Sequence, residues 1–169
     1  MCTETRFHRP GPSGRRTTTR ELSLFTLSKG SEYAIAGLVY IASKTDDFTG
    51  VEEISRATGI SKQYLAKIFR TLASRGIISS TRGRDGGFML SRAPRMITLL
   101  DVVEAIDGPV EARCIRKEEE CPDSPGCQLY GVLKRCAKSV AEVLSSENIG
   151  GIMLFFGNKS GLNRPELSK

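Results

Sequence analysis

A mainly α-helical chain with one small β-hairpin is the fold class this sequence predicts, and three observations predict it. Two short amphipathic stretches, 51–58 and 61–75, are separated by little more than Gly59-Ile60. Directly after Gly76 the apolar period changes from 3.6 to 2, on both sides of Gly83-Arg84-Asp85-Gly86. Residues 128–148 then carry one long apolar stripe. In that order the elements spell a winged helix-turn-helix domain followed by a long C-terminal dimerisation helix.

Each element has its own signals. Residues 1–23 are polar, rich in Pro and Gly and without periodicity, which predicts a disordered basic tail. It reads equally well as an upstream extension or as a basic arm on a DNA backbone. The first helix follows Ser28 or Ser31 as N-cap, and Tyr33, Ala34, Leu38, Ile41 and Ala42 recur at helical spacing through residue 43. Val51–Thr58 forms a second helix with Val51, Ile54 and Ala57 on one face, and Gly59 stops it.

Ser61 caps a third helix, 61–75, whose buried stripe is Tyr64, Leu65, Ile68, Phe69 and Leu72, with Gly76 as its stop. Two helices joined by Gly59-Ile60-Ser61 are a helix-turn-helix: the glycine makes the turn, Ile60 plugs the angle and the second helix reads a major groove. Residues 77–82 and 87–91 are two strands of a wing with a basic tip. Thr98 caps a helix to Ile106, which Gly108-Pro109 breaks. On the 128–148 helix Leu129, Leu133, Cys136, Val140, Val143 and Leu144 line up with no obvious core to pack on, which predicts a dimer seam. The tail after Gly150 is apolar at 152–156, and its pattern assigns it no structure. The organisation is therefore a tail (1–23), a reading domain (24–108), a cysteine loop (109–127), a dimerisation helix (128–150) and a C-terminal tail (151–169).

Bulk properties narrow the function. At 169 residues, with 39% hydrophobic and 26% charged residues, the chain fits one soluble domain with appendages. It has no apolar run long enough to span a membrane and no signal-peptide h-region, so a cytoplasmic protein is expected. The net charge of +6 points to a polyanionic partner such as nucleic acid, although half of it lies in residues 1–23, with five Arg against two Glu. Five cysteines without an export signal argue for thiols, metal binding or redox sensing over a disulfide framework. Cys114, Cys121 and Cys127 cluster as C-x6-C-x5-C, a looser spacing than the C-x2-C pairs of zinc fingers. An enzyme is not expected: the single histidine, His8, lies in the tail, and no G-x-S-x-G motif is present.

Several motifs together resemble the Rrf-type winged-helix regulators, the family of the iron–sulfur sensors IscR, NsrR and RirA. They are Leu27-Ser28-Lys29-Gly30 with Tyr33-Ala34, Gly59-Ile60-Ser61 with Tyr64-Leu65, Arg82-Gly83 with Gly86-Gly87-Phe88, and Asp101–Ile106 ahead of the cysteines. The resemblance covers roughly residues 25–148. It implies a homodimer with crossing C-terminal helices, each subunit reading half of a near-palindromic double-stranded operator. It also implies a [2Fe-2S] or [4Fe-4S] cluster on Cys114, Cys121 and Cys127.

IscR-like members place a histidine three residues after the third cysteine, where this chain has Tyr130. NsrR-like members draw an acidic ligand from the partner's first helix, and Glu32 occupies that place, which implies Glu32 of the partner subunit as fourth ligand. IscR-like members also carry a glutamate after Tyr-Leu in the reading helix; Ala66 stands there, so operator preference does not transfer.

Each of these residues has a plainer alternative. The cysteines could hold zinc, form a thiol switch or do nothing; Glu32 could be an exposed acid favourable to the helix dipole. Cys136 fits a small apolar position on the dimer stripe, Cys2 is incidental, and Glu118–Glu120 form a solvated face. For DNA, Ser61, Lys62 and Gln63 open the reading helix towards bases or phosphates, Lys67 and Arg70 point to phosphate, and Arg82 and Arg84 suit a minor groove. Tyr64 and Leu65 are expected in the core. The expected function is a dimeric DNA-binding transcription regulator sensing iron–sulfur, redox or nitric oxide status. The rivals are a cluster-free regulator controlled by a protein or small molecule, and a thiol or zinc redox-switch protein.

Overall fold

Ser28 fixes where the first helix begins. In the computed structural model, which describes residues 27–44, 48–81, 83, 86–112 and 126–157, its Oγ accepts the backbone N–H of Ser31 at 3.1 Å and caps helix α1, Lys29–Ala42. Ser31, the other candidate cap, is instead fully buried inside the first turn, and its hydroxyl donates to Asp107 Oδ2 at 2.7 Å. A buried hydroxyl needs such a partner, because an unmatched one would cost the full desolvation penalty.

Helix α2 (Val51–Thr58) and helix α3 (Lys62–Ser74) make the helix-turn-helix. Gly59 sits between them at φ 73°, a left-handed conformation that a side chain would resist by about 1 kcal/mol. Ile60 is buried in the angle, and Ser55 Oγ donates to its carbonyl at 2.6 Å, which locks the turn. Leu65, Ile68, Phe69 and Leu72 of α3 enter the core as their spacing predicts. Phe69 lies so close to α1 that a Cβ on Gly37 would stand 2.6 Å from its ring, so only glycine admits this crossing.

The strands are shorter than their sequence pattern: β1 (Ile78–Ser80) pairs antiparallel with β2 (Phe88–Leu90), Ser79 opposite Met89. Single hydrogen bonds extend the hairpin, from Thr81 N to Gly87 O and from Ser91 N to Ile77 O. Thr49 bridges the outer side of Phe88 with two bonds of 2.9 Å, and the Phe88 ring meets Phe69 edge-on at 4.8 Å. These contacts root the wing in the helical core.

After a 3-10 turn at Pro94–Met96, Thr98 and Asp101 form a reciprocal capping box at the start of helix α4, Leu99–Asp107. Helix α5 spans Gln128–Ser146, ending before the residue 148 that its apolar stripe suggested. The chain turns there because Glu147 O accepts Leu99 N–H and Ile149 N–H donates to Ile97 O, both at 2.9 Å. Asn148 then caps a further helix, α6 (Ile149–Gly157), accepting Gly151 N–H at 3.0 Å. The apolar segment 152–156 is therefore helical, and α6 packs on α1 and the 3-10 turn with Ile149 fully buried. One core, drawn from α1, α2, α3, β1, α4 and Ile149, supports the whole amino-terminal half. Helix α5 touches α4 but contributes no buried residue.

Candidate nucleic-acid interface

Helix α3 has two faces with opposite chemistry. Its inner face is fully committed to the core, which fixes the helix in rotation. Its outer face carries Ser61, Lys62, Gln63, Lys67 and Arg70, all exposed. Gln63, Lys67 and Arg70 follow one another at i, i+4 and i+7, so they form a single ridge. Leu65 is buried as expected, but Tyr64 is not a core residue. It remains 38% exposed and meets Tyr33 of α1 edge-on at 5.6 Å. Its position follows from helix geometry: it shares an edge of α3 with Lys67 and Thr71, beside the first turn of α1 and open to solvent.

The outer residues differ in how they are held. Ser61 Oγ accepts Tyr64 N–H at 3.4 Å as the N-cap, leaving its hydroxyl hydrogen for another acceptor. Lys62 Nζ forms an ion pair with Glu52 of α2. The hydrogen bond and charge of Lys62 hold the Glu52 carboxyl below the ordinary glutamate value, with Arg56 adding a little. Sequence reasoning missed Glu52; its signal was an acid in the first turn of the preceding helix. Arg70 Nε donates to the Ala66 carbonyl at 3.1 Å, which lays its guanidinium along the helix. Lys67 makes no ion pair among the described residues. Arg82 and Arg84 at the wing tip lie outside the described residues, although the hairpin that carries them is in place.

The cysteine site is seen only at its edge. Cys127 is half-buried in the N-cap position of α5 without a side-chain capping bond, so its sulfur is uncommitted to the helix. Cys114 and Cys121 lie outside the described residues. Glu32 stands in the first turn of α1, partly exposed, and accepts Lys29 Nζ at 2.7 Å. Cys136 is exposed on α5. Among the described residues no three of His, Cys, Asp and Glu gather into a metal site.

With this geometry in view, the match to a known family becomes decisive. Residues 27–153 match the Rrf2 model, described as an iron-dependent transcriptional regulator. The chain belongs to the Rrf2 family. A curated relative, protein aau3 of Rhizobium meliloti (strain 1021), is 34% identical over 129 residues, covering 75% of this chain and 84% of that protein. Among solved structures, CymR, the global cysteine regulator of B. subtilis, shares the fold with a TM-score of 0.62 and 24% identity, over 78% of this chain and 98% of CymR. IscR of T. potens matches with a TM-score of 0.63 and 22% identity, over 83% of this chain and 93% of IscR. This Rrf2 protein is thus a DNA-binding transcription regulator of a family that are not enzymes. Among the described residues no helix is long and apolar enough to cross a membrane.

Proposed function

We propose that this Rrf2 protein is a cytoplasmic homodimer that reads a near-palindromic double-stranded operator and reports iron–sulfur, redox or nitric oxide status through a labile cluster. The carrying observation is the outer face of α3: five polar or cationic residues, all exposed, on a helix whose opposite face is locked in the core. Ser61, Lys62 and Gln63 face bases or phosphates at the groove, while Lys67 and Arg70 meet phosphate. Arg82 and Arg84 follow from the wing into the adjoining minor groove. Phosphate contacts supply most of the affinity and make it depend on salt.

The donor set fits a [2Fe-2S] or [4Fe-4S] cluster. Cys114, Cys121 and Cys127 supply soft thiolates, and Glu32 of the partner subunit supplies a harder, more labile carboxylate. Two features support this reading: the Cys127 side chain takes no part in capping its helix, and the ion pair of Glu32 with Lys29 among the described residues is exposed and exchanges at little cost. A cluster there would give the chain redox and ligand-exchange chemistry; the residues themselves only hold it and respond to its presence.

Anaerobic purification followed by visible absorbance and iron and sulfide assays tests the cluster. A brown protein with stoichiometric iron and sulfide is expected, and a colourless protein holding zinc or no metal overturns the reading. Glu32→Ala is expected to change the spectrum or stability of the cluster; an unchanged cluster removes Glu32 from the ligand set. The likeness of the fold to CymR supports a second reading, a cluster-free regulator controlled by a small molecule or a protein partner. Under that reading operator binding is unaffected when the three cysteines are replaced by serine.

A further inference from the structure

A cleft of about 390 Å³ opens where the first turn of α1, the outer edge of α3 and the end of α4 meet. Its lining includes Lys29 from α1 and Lys67 from α3, together with Tyr64, Thr71, Ser28 and Asp107. Two cations from different helices thus face one opening. The carboxylate in its wall is already committed: Asp107 accepts Ser28 Oγ at Oδ1 and Ser31 Oγ at Oδ2, both at 2.7 Å. This double bond to neighbouring hydroxyls clamps the end of α4 to the start of α1. The Tyr33–Tyr64 contact ties α1 to α3 beside it, so the backbone positions that carry the two lysines are held together.

We infer that this cleft receives a backbone phosphodiester of the operator, held by Lys29 and Lys67 together. The inference rests on the DNA-binding reading and extends it from the reading helix to α1. Its direction comes from Lys67, which belongs both to the outer ridge with Gln63 and Arg70 and to the rim of the cleft. A duplex contacting that ridge through Lys67 would bring its backbone to the edge of the same cleft. Lys29 currently pairs with Glu32 at 2.7 Å, but its side chain is 65% exposed. Such a pair is readily exchanged for a phosphate oxygen, since exposed ion pairs gain little from each other in water. A lysine serves here as a point charge, which suits a phosphate more than a base edge.

The test uses the full-length dimer, a duplex recovered by selection from a random pool and a scrambled duplex of equal length. Binding is followed by fluorescence anisotropy across a potassium chloride series. Each neutralised phosphate contributes about 0.9 to the slope of log affinity against log salt. Lys29→Ala and Lys67→Ala are each expected to lower that slope by about one on both duplexes, with the ratio between the duplexes unchanged. Lys29→Gln is expected to match Lys29→Ala, and circular dichroism of both should match the wild type. An unchanged slope for both Lys29 variants overturns the inference, as does a loss confined to the selected duplex. Wild-type protein that shows no salt-dependent binding at all would instead overturn the DNA-binding reading itself.

Discussion

The reading head and helix α5 obey different rules of construction. In the head, α1, α3 and α4 each bury their apolar stripe, and the ends of the elements are closed by Ser28, Ser61, Thr98 and Gly59. Helix α5 has nineteen residues and not one is buried; Leu129, Val132 and Val143 stand between 44% and 63% exposed. An amphipathic helix in water is stabilised mainly by what its apolar face packs on. The head carries its own partner for every stripe, whereas among the described residues the α5 stripe packs mainly beside α4. Such a difference assigns folding to the head and, under the proposed homodimer, leaves assembly to α5.

The strongest way to break that contrast is to damage the head. Phe69 is fully buried, presses on Gly37 and meets Phe88 edge-on. Phe69→Ala removes a large core side chain and leaves a cavity, a loss of about 3–5 kcal/mol. For a domain of ordinary marginal stability that is a large part of the total. Thermal melting followed by circular dichroism should show a drop of well over ten degrees or no cooperative transition. A melt within a few degrees of wild type would mean the head is not the folding unit.

Charging the α5 stripe should do the reverse. Leu129→Asp with Val143→Asp places carboxylates on exposed positions of the stripe, so helical content should persist. Sedimentation equilibrium should then report a monomer, and operator affinity should fall by about 10²-fold or more as the two half-sites lose their linkage. A variant that stays dimeric would move the seam elsewhere. A variant that unfolds would show that α5 belongs to the folding unit after all.

How much of this was legible in the sequence divides along the same line. The helix-turn-helix could be read because its signals are local: Gly59 and Gly76 adopt φ of 73° and 70°, and Ser61 and Thr98 bond to N–H groups three residues on. Choosing Ser28 over Ser31 as the first cap was not legible, because the choice depends on Asp107, seventy-six residues from Ser31. Nor was α6. Its segment Ile149–Gly157 is apolar on all sides, so no stripe marks it as a helix, and its start is set by bonds to Ile97 and Leu99. Tyr64 followed the periodicity of its neighbours yet stayed at the surface, because it shares the cleft-lining edge of α3 with Lys67 and Thr71 and not the core face of Leu65 and Leu72. At the cysteine site the pattern named residues, and of these the described structure places Cys127 at the start of α5 and Glu32 in the first turn of α1, while Cys114 and Cys121 lie outside the described residues.

The smallest expected effect lies at the pair between Lys62 and Glu52, and it distinguishes two roles for one lysine. Glu52 either parks Lys62 away from DNA or orients it towards DNA. Glu52→Gln removes the charge that holds it while leaving the core untouched, so melting should scarcely change. If Glu52 parks the lysine, the variant binds operator slightly more tightly and its salt slope rises by up to about one. If Glu52 orients it, binding weakens at every salt concentration. The lowered pKa of Glu52 sets the pH sign: the pair's contribution is complete above the ordinary glutamate value, near 4.5, and is lost only as pH falls through the lower folded-state value. Between pH 5 and 8 the wild-type tether therefore stays intact. Any difference between wild type and Glu52→Gln should be constant across that range and should shrink as salt screens both charges. The parked arrangement is the expected one, since both partners are exposed and Lys62 reaches back across the turn to α2. A wild-type affinity that changed through Glu52 between pH 5 and 8 would contradict the pairing on which this expectation rests.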